Sequence, residues 1–130
     1  MASDGEPKCL PDMTTDNSLG QSSCVVAIKL ARQCDTSYTL SPRPINGPAY
    51  VGPAGEEASD CICNTVFFSL LSDCSWCQGG ALGYWSHYSG WCGRRILIGQ
   101  YPPDLIPQDT AIPSWAYMWT PSSRRRGGHI

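Results

Sequence analysis

Eight cysteines constrain this 130-residue chain more than any other feature: Cys9, Cys24, Cys34, Cys61, Cys63, Cys74, Cys77 and Cys92. An even count in so short a chain reads first as a disulfide framework, for which eight cysteines allow 105 connectivities. Disulfides persist in oxidising compartments, and small domains with thin cores depend on them. The core here is thin: Leu, Ile, Val and Phe make 23 residues, whereas Gly and Pro make 24. A net charge of only −2 argues against reading that shortage as disorder. Five tryptophans and six tyrosines supply apolar area in its place. The length fits one domain. It excludes a large nucleotide-binding or barrel enzyme, and the charge excludes a polybasic nucleic-acid module.

Metal ligation competes for the same thiols. Cys61 and Cys63 form a C-x-C, and Cys74 and Cys77 a C-x-x-C, so Cys61, Cys63, Cys74 and Cys77 could hold tetrahedral zinc, with His87 or Cys92 substituting for one. That set leaves Cys9, Cys24 and Cys34 unexplained, and the second pair ends an apolar run rather than a knuckle. Redox catalysis fits less well. A reactive C-x-x-C sits at a helix N-terminus, where the dipole favours the thiolate, but Cys74 and Cys77 fall near a helix C-terminus.

The helices are read from spacing. Ser18 and Gln21 make a capping box, and Cys24, Ala27, Ile28, Ala31 and Cys34 recur at three- and four-residue intervals, which predicts a helix over 19–34. Cys24 and Cys34 would lie about 15 Å apart along it, so each needs another partner. Asn64 is an N-cap for a second helix over 64–78, whose buried face carries Val66, Phe67, Leu70, Leu71, Cys74 and Cys77. Trp76 and Gln78 suggest a packed end, and Gly79 and Gly80 supply the stop. Phe68 on the flank is expected to meet the preceding connection. Tyr84, Trp85, Tyr88 and Trp91 predict a short third helix over 82–91, with Cys92 placed to reach Cys74 or Cys77.

Residues 35–60 form a long Pro-, Gly- and Ser-rich connection, here called the strap. A bond from Cys34 to Cys61 or Cys63 would close it, worth about 3 to 4 kcal/mol on a chain-entropy account. Tyr38, Leu40, Ile45, Tyr50 and Val51 are expected to lay it across the helices. After Gly93 the chain is expected to be extended, including the alternating Trp115, Tyr117 and Trp119. The expected organisation is a polar N-terminal arm over 1–16 with Cys9 as its anchor, a cysteine-rich helical domain over 17–121, and a basic tail over 122–130. The fold class is mainly α, disulfide-stapled, with two main helices and long wrapping segments.

Motifs for catalysis are missing: there is no G-x-S-x-G, H-E-x-x-H, phosphate-cradling glycine loop or dinucleotide fingerprint. His87 among aromatics reads as a surface or packing residue. A small secreted hydrolase would need a cleft joining His87 to Asp60, Asp73 or Asp104. Asp73, in the last turn of its helix, is expected to pair with Arg94 or Arg95. For binding, Trp85, Trp91, Trp115 and Trp119 are the aromatics that could form a ligand surface. Residues 1–121 hold 6 Lys and Arg against 11 Asp and Glu, which argues against nucleic acid as a partner despite Arg124, Arg125 and Arg126. Residues 1–20 show no apolar h-region of a signal peptide, and no stretch reaches the roughly 18 to 20 apolar residues of a membrane span.

The stretch NSLGQSSCVVAIKLARQC, the block CICNTVFFSLLSDCSWCQGG and the closing IPSWAYMWTP resemble a family of fungal cysteine-rich ectodomain proteins. In that family a signal peptide, the cysteine-rich domain, a Ser/Gly-rich linker and one transmembrane helix follow in order. The resemblance covers residues 9–121, with Cys24, Cys34, Cys61, Cys63, Cys74, Cys77 and Cys92 at matching positions and Cys9 at a more variable one. It implies an extracellular or cell-surface module, secreted or membrane-tethered, and no catalytic residue or cofactor. The expectation is therefore a non-enzymatic extracellular binding or structural module whose partner is a protein or a glycan. The alternatives are an intracellular zinc-stabilised interaction domain and the small hydrolase. As a fold that depends on its disulfides more than on its packing, the domain should unfold on reduction.

Overall fold

The computed structural model describes residues 6–121; the basic tail with Arg124–Arg126 lies outside the described residues. The domain is mainly α-helical: α1 spans Ser23–Ala31, α2 Thr65–Cys77 and α3 Trp85–Tyr88, joined by short 3-10 turns. Among the described residues there is no sheet, only one parallel bridge between Asn64 and Leu97.

α2 is the axis of the fold. Asn64, fully buried, caps it by accepting from the Phe67 amide at 2.6 Å, while its own amide group donates to the carbonyls of Asp60 and Cys61. Every residue of α2 except Asp73 and Trp76 is buried, so the helix is enclosed on all sides rather than amphipathic. Its serines allow close approach: Ser75 Oγ donates to the Ala81 carbonyl at 2.8 Å where the chain turns back after Gly79. That turn needs glycine, because Gly79 has φ +90°.

α1 packs antiparallel against α2, as the disulfides require. Cys24 at its start bonds Cys74 near the end of α2, and Cys34 after its end bonds Cys61 before the start of α2. The remaining bonds are Cys9–Cys77, which ties the N-terminal arm to the end of α2, and Cys63–Cys92. Cys34 thus takes one of its two expected partners, and Cys92 takes neither of its own. Leu97 pairs with Cys63 and Thr65 through backbone bonds of 3.2 and 3.0 Å, which draws Cys92 to the start of α2 instead of its end.

α1 is shorter than its spacing predicts. Ser22, not Ser18, is the N-cap and accepts from the Val25 amide at 3.2 Å. Ser18 sits in a turn organised by Asn17, whose side chain accepts from the Leu19 and Gln21 amides, with Gly20 at φ +75°. At the other end, residues 32–34 tighten into turns closed on Ile28, Leu30 and Ala31. α3 is likewise cut to one turn, flanked by Gly83 and Gly90. Residues 114–117 form a 3-10 turn rather than an extended run. Pro113, at φ −65°, starts it, and the three-residue period sets Ala116 and Trp119 inward while Met118 is exposed.

The core has two parts. Val26 and Leu30 of α1 and Val66, Phe67 and Leu70 of α2 are the largest fully buried apolar side chains. On the opposite flank Phe68 meets Trp85, Tyr88 and Trp119 at centroid distances of 5.4, 5.2 and 5.4 Å. Phe68 therefore packs in an aromatic cluster, not against the strap; it is Phe67 that meets Tyr38 of the strap, edge-on at 6.1 Å. No helix among the described residues is long and apolar enough to cross a membrane.

Candidate ligand-binding cleft beneath the strap

The strap is covalently closed by Cys34–Cys61 and then fixed along its length by backbone contacts. Its middle is tied to the end of α2: Asn46 donates to the Gly79 carbonyl at 2.7 Å, and Ala81 donates to the Gly47 carbonyl at 2.9 Å. Gln78, buried at the C-cap, holds the same region through its side chain, accepting from the Arg43 amide and donating to the Tyr50 hydroxyl at 3.0 Å. Tyr50 in turn donates to the Ser41 carbonyl at 2.5 Å. Further on, the strap crosses α3 so closely that a Cβ at Gly52 would lie 2.0 Å from the Tyr88 carbonyl oxygen. Only glycine fits there.

Because the strap is held at its ends and by these few points, it does not collapse onto the helices. Leu40 is buried, and Tyr38 and Tyr50 half-bury against the core, but Ile45 and Val51 stand in solvent at 65% and 83% exposure. The expected packing of those two is corrected: chain closure orders the strap without their burial. Between strap, α1 and α3 lies an open cleft of about 720 Å³.

Its lining mixes aromatic faces with polar groups. Burial holds the Tyr38 phenol protonated far above the usual tyrosine range, with the charges of Tyr50 and Glu57 adding to the effect. Its hydroxyl has no hydrogen-bond partner among the described residues. Burial also raises Tyr50, against the hydrogen bond from Gln78 and the nearby charge of Arg43. The Arg43 guanidinium carbon lies 4.3 Å from the centre of the Tyr50 ring, and Arg43 Nε is buried without an acceptor. Glu57 accepts from the Ala54 amide at 3.0 Å through one carboxylate oxygen. Asp35 is depressed below its ordinary value by hydrogen bonds from the Ser37 hydroxyl and amide. Both phenols thus stay neutral across physiological pH, the Tyr50 proton given to Ser41 and the Tyr38 proton open to an acceptor, while Asp35 stays charged.

Of the four aromatics singled out as ligand surface, Trp85 and Trp119 are core residues, 8% and 9% exposed. Trp115 is half-buried against the same core. Trp91 is different: it is 69% exposed and its six-membered ring lies beside Gly55, where a Cβ would be 3.4 Å from Cε3. Gly55 begins the turn that carries Glu56 and Glu57 into the cleft, so Trp91 stands at its rim. Trp76, expected to pack with Gln78 at the end of α2, is 40% exposed, whereas Gln78 is buried.

The zinc set does not form. Cys61, Cys63, Cys74 and Cys77 are each bonded to a different cysteine, to Cys34, Cys92, Cys24 and Cys9 in turn. The hydrolase constellation is also scattered. His87 is exposed and meets Tyr84 edge-on at 6.0 Å, Asp60 pairs with Arg95 at 3.6 Å, and Asp73 accepts from the Thr15 hydroxyl. Arg95 therefore serves Asp60 and not Asp73. Sequence reasoning passed over Arg43, Glu56 and Glu57; the signal available was their position inside a long strap closed by cysteines. No family model, curated protein or solved structure matches the chain.

Proposed function

We propose that this chain is a non-enzymatic extracellular binding module, of the fungal ectodomain kind its cysteine blocks resemble, and that the strap cleft takes a hydroxyl-rich ligand, a glycan. Four disulfides support an oxidising compartment. The observation that carries the binding reading is the buried, acceptor-less Nε of Arg43 in a cleft that also offers the Tyr38 hydroxyl and the Glu56 carboxylate. A buried donor without a partner costs about 1 to 3 kcal/mol, a cost that a ligand acceptor removes when the guanidinium turns from the Tyr50 ring toward the cleft. Sugar units present donors and acceptors on their edges and apolar C–H faces that suit tyrosine and tryptophan rings. Trp91 at the rim supplies such a ring in the open.

The test is calorimetric titration of the oxidised protein with a panel of soluble oligosaccharides, backed by a peptide panel of matched size. An oligosaccharide should bind, and Arg43→Met and Tyr38→Phe should each weaken it about 5- to 30-fold, the equivalent of one charged or neutral hydrogen bond. Binding confined to peptides would transfer the reading to a protein partner.

A further inference from the structure

At the end of α2 two disulfides lie against each other. The Sγ atoms of Cys9, Cys24 and Cys77 are all within 4.8 Å of one another, the only such group among the described residues. Cys24 Sγ and Cys77 Sγ, which belong to different disulfides, are 4.0 Å apart. Cys74 and Cys77, three residues apart on α2, lie on one helix face and so present their partners side by side. Cys24, Cys74 and Cys77 are fully buried, whereas Cys9 is only partly so. Beside them, Gln78 Nε2 is 3.6 Å from Cys74 Sγ and 3.9 Å from Cys24 Sγ.

We infer that this cluster is a thiol–disulfide exchange site, in which a dithiol entering at Cys9 frees the N-terminal arm while the link between α1 and α2 is kept by a new Cys24–Cys77 bond. A thiolate of the dithiol attacks Cys9 Sγ, the accessible sulfur; the Cys9–Cys77 bond breaks and Cys77 leaves as thiolate. The second thiol of the reductant then closes on the first, and Cys9 departs with a proton from solvent. Cys77 attacks Cys24 Sγ, 4.0 Å away. The Cys24–Cys77 bond forms, the Cys24–Cys74 bond breaks, and Cys74 takes the electron pair, with the Gln78 amide at hand to donate to it before it picks up a proton. Two electrons and two protons enter, the dithiol becomes a disulfide, and two thiols, Cys9 and Cys74, remain.

The position of Cys77 favours exchange over persistence of its thiolate. At the negative end of a helix, among buried groups, the anion is poorly stabilised and hence strongly nucleophilic. The disulfide sulfur of Cys24, 4.0 Å away, is an electrophile within its reach. The arm loses its covalent tie and keeps only contacts such as Leu10 N–H to the Cys77 carbonyl, 2.7 Å.

The experiment treats the oxidised protein with one equivalent of dithiothreitol, alkylates at acid-quenched time points and maps the disulfides by peptide mass spectrometry. The expected product carries a Cys24–Cys77 bond with Cys9 and Cys74 alkylated. Alkylated Cys9 and Cys77 with Cys24–Cys74 intact would overturn the inference. A Cys9→Ser variant reads the second step without reductant, because Cys77 then starts as a thiol. Both Cys24–Cys74 and Cys24–Cys77 pairings should be recovered from it; Cys24–Cys74 alone would again overturn the exchange.

Discussion

The strap, residues 35–60, and the C-terminal segment, residues 93–121, are both irregular and rich in proline, but they are ordered by different means. The strap is closed at both ends by Cys34–Cys61 and, apart from Leu40 and Pro53, keeps its side chains half-buried or exposed. The C-terminal segment has no cysteine after Cys92 and buries Tyr101, Ala116 and Trp119. Tyr101 also donates to the Cys61 carbonyl at 2.8 Å, and the Gly99 amide donates to Thr65 Oγ1 at 2.7 Å. A cross-link lowers the entropy of the unfolded chain, so a closed loop need not bury apolar area to stay in place. A segment fixed at one end must. That difference is why the strap can stand off the helices and leave a cleft, whereas the C-terminal segment lies flat and completes the core.

Complete reduction is the widest test of the contrast. It removes every cross-link from a core this thin, so the helical circular dichroism should be lost; a reduced protein that stayed helical would show that aromatic burial alone suffices. The segments can then be separated. Trp119→Ala takes away the ring that packs on both Phe68 and Trp85 and should cost about 3 to 5 kcal/mol in a denaturant titration of the oxidised protein. Replacing Cys34 and Cys61 together by serine should cost about 3.5 kcal/mol on the chain-entropy account. It should also abolish ligand binding in the cleft, whereas protein carrying Trp119→Ala should bind normally while folded. Equal effects of both variants on binding would erase the distinction.

Smaller changes sharpen it further. Gly52→Ala sets a methyl group against the Tyr88 carbonyl and should destabilise by about 1 to 3 kcal/mol, with the perturbation in an NMR spectrum confined to the strap and α3. The smallest effect concerns Lys29 and Asp109, a 2.8 Å pair between α1 and the C-terminal segment. The hydrogen bond from Lys29 lowers Asp109 below its usual 3.8, and the pair is open to solvent. A lowered carboxylate contributes stability above its unfolded-state value and loses it as pH falls through the folded one. Lys29→Met should return Asp109 toward 3.8 in an NMR titration and leave the stability at neutral pH nearly unchanged.

How much of this was legible in the sequence follows the same division. The centres of α1 and α2 were, because three- and four-residue spacing is local and Asn64 is an unambiguous cap. Closure of the strap at Cys34 was too, since a helix forbids its bond to Cys24. The ends of α1 were not: Ser18 and Ser22 both suit an N-cap, and the choice fell to Asn17 and Gly20 upstream. Cys92 was misassigned because its partner depends on Leu97 pairing beside Asn64, a contact across more than thirty residues that no local pattern encodes. The tryptophans carried no mark of which would be buried. Trp85 and Trp119 are sorted from Trp91 by the shape of the wrap, and that shape depends on where the turns fall.

The order of the bonds along the chain bears on how the molecule is made. Only Cys34–Cys61 joins cysteines that follow one another in sequence; Cys9 and Cys24 must wait for Cys77 and Cys74, 68 and 50 residues downstream. During synthesis from the N-terminus, Cys9, Cys24 and Cys34 all emerge before any correct partner exists. Early closure among them would be wrong in every case, and α2, the last helix on which two of them depend, carries the information that corrects it. Native pairing of Cys9 and Cys24 therefore cannot be completed until α2 has been synthesised, so two of the four cross-links belong to the end of folding rather than to its start.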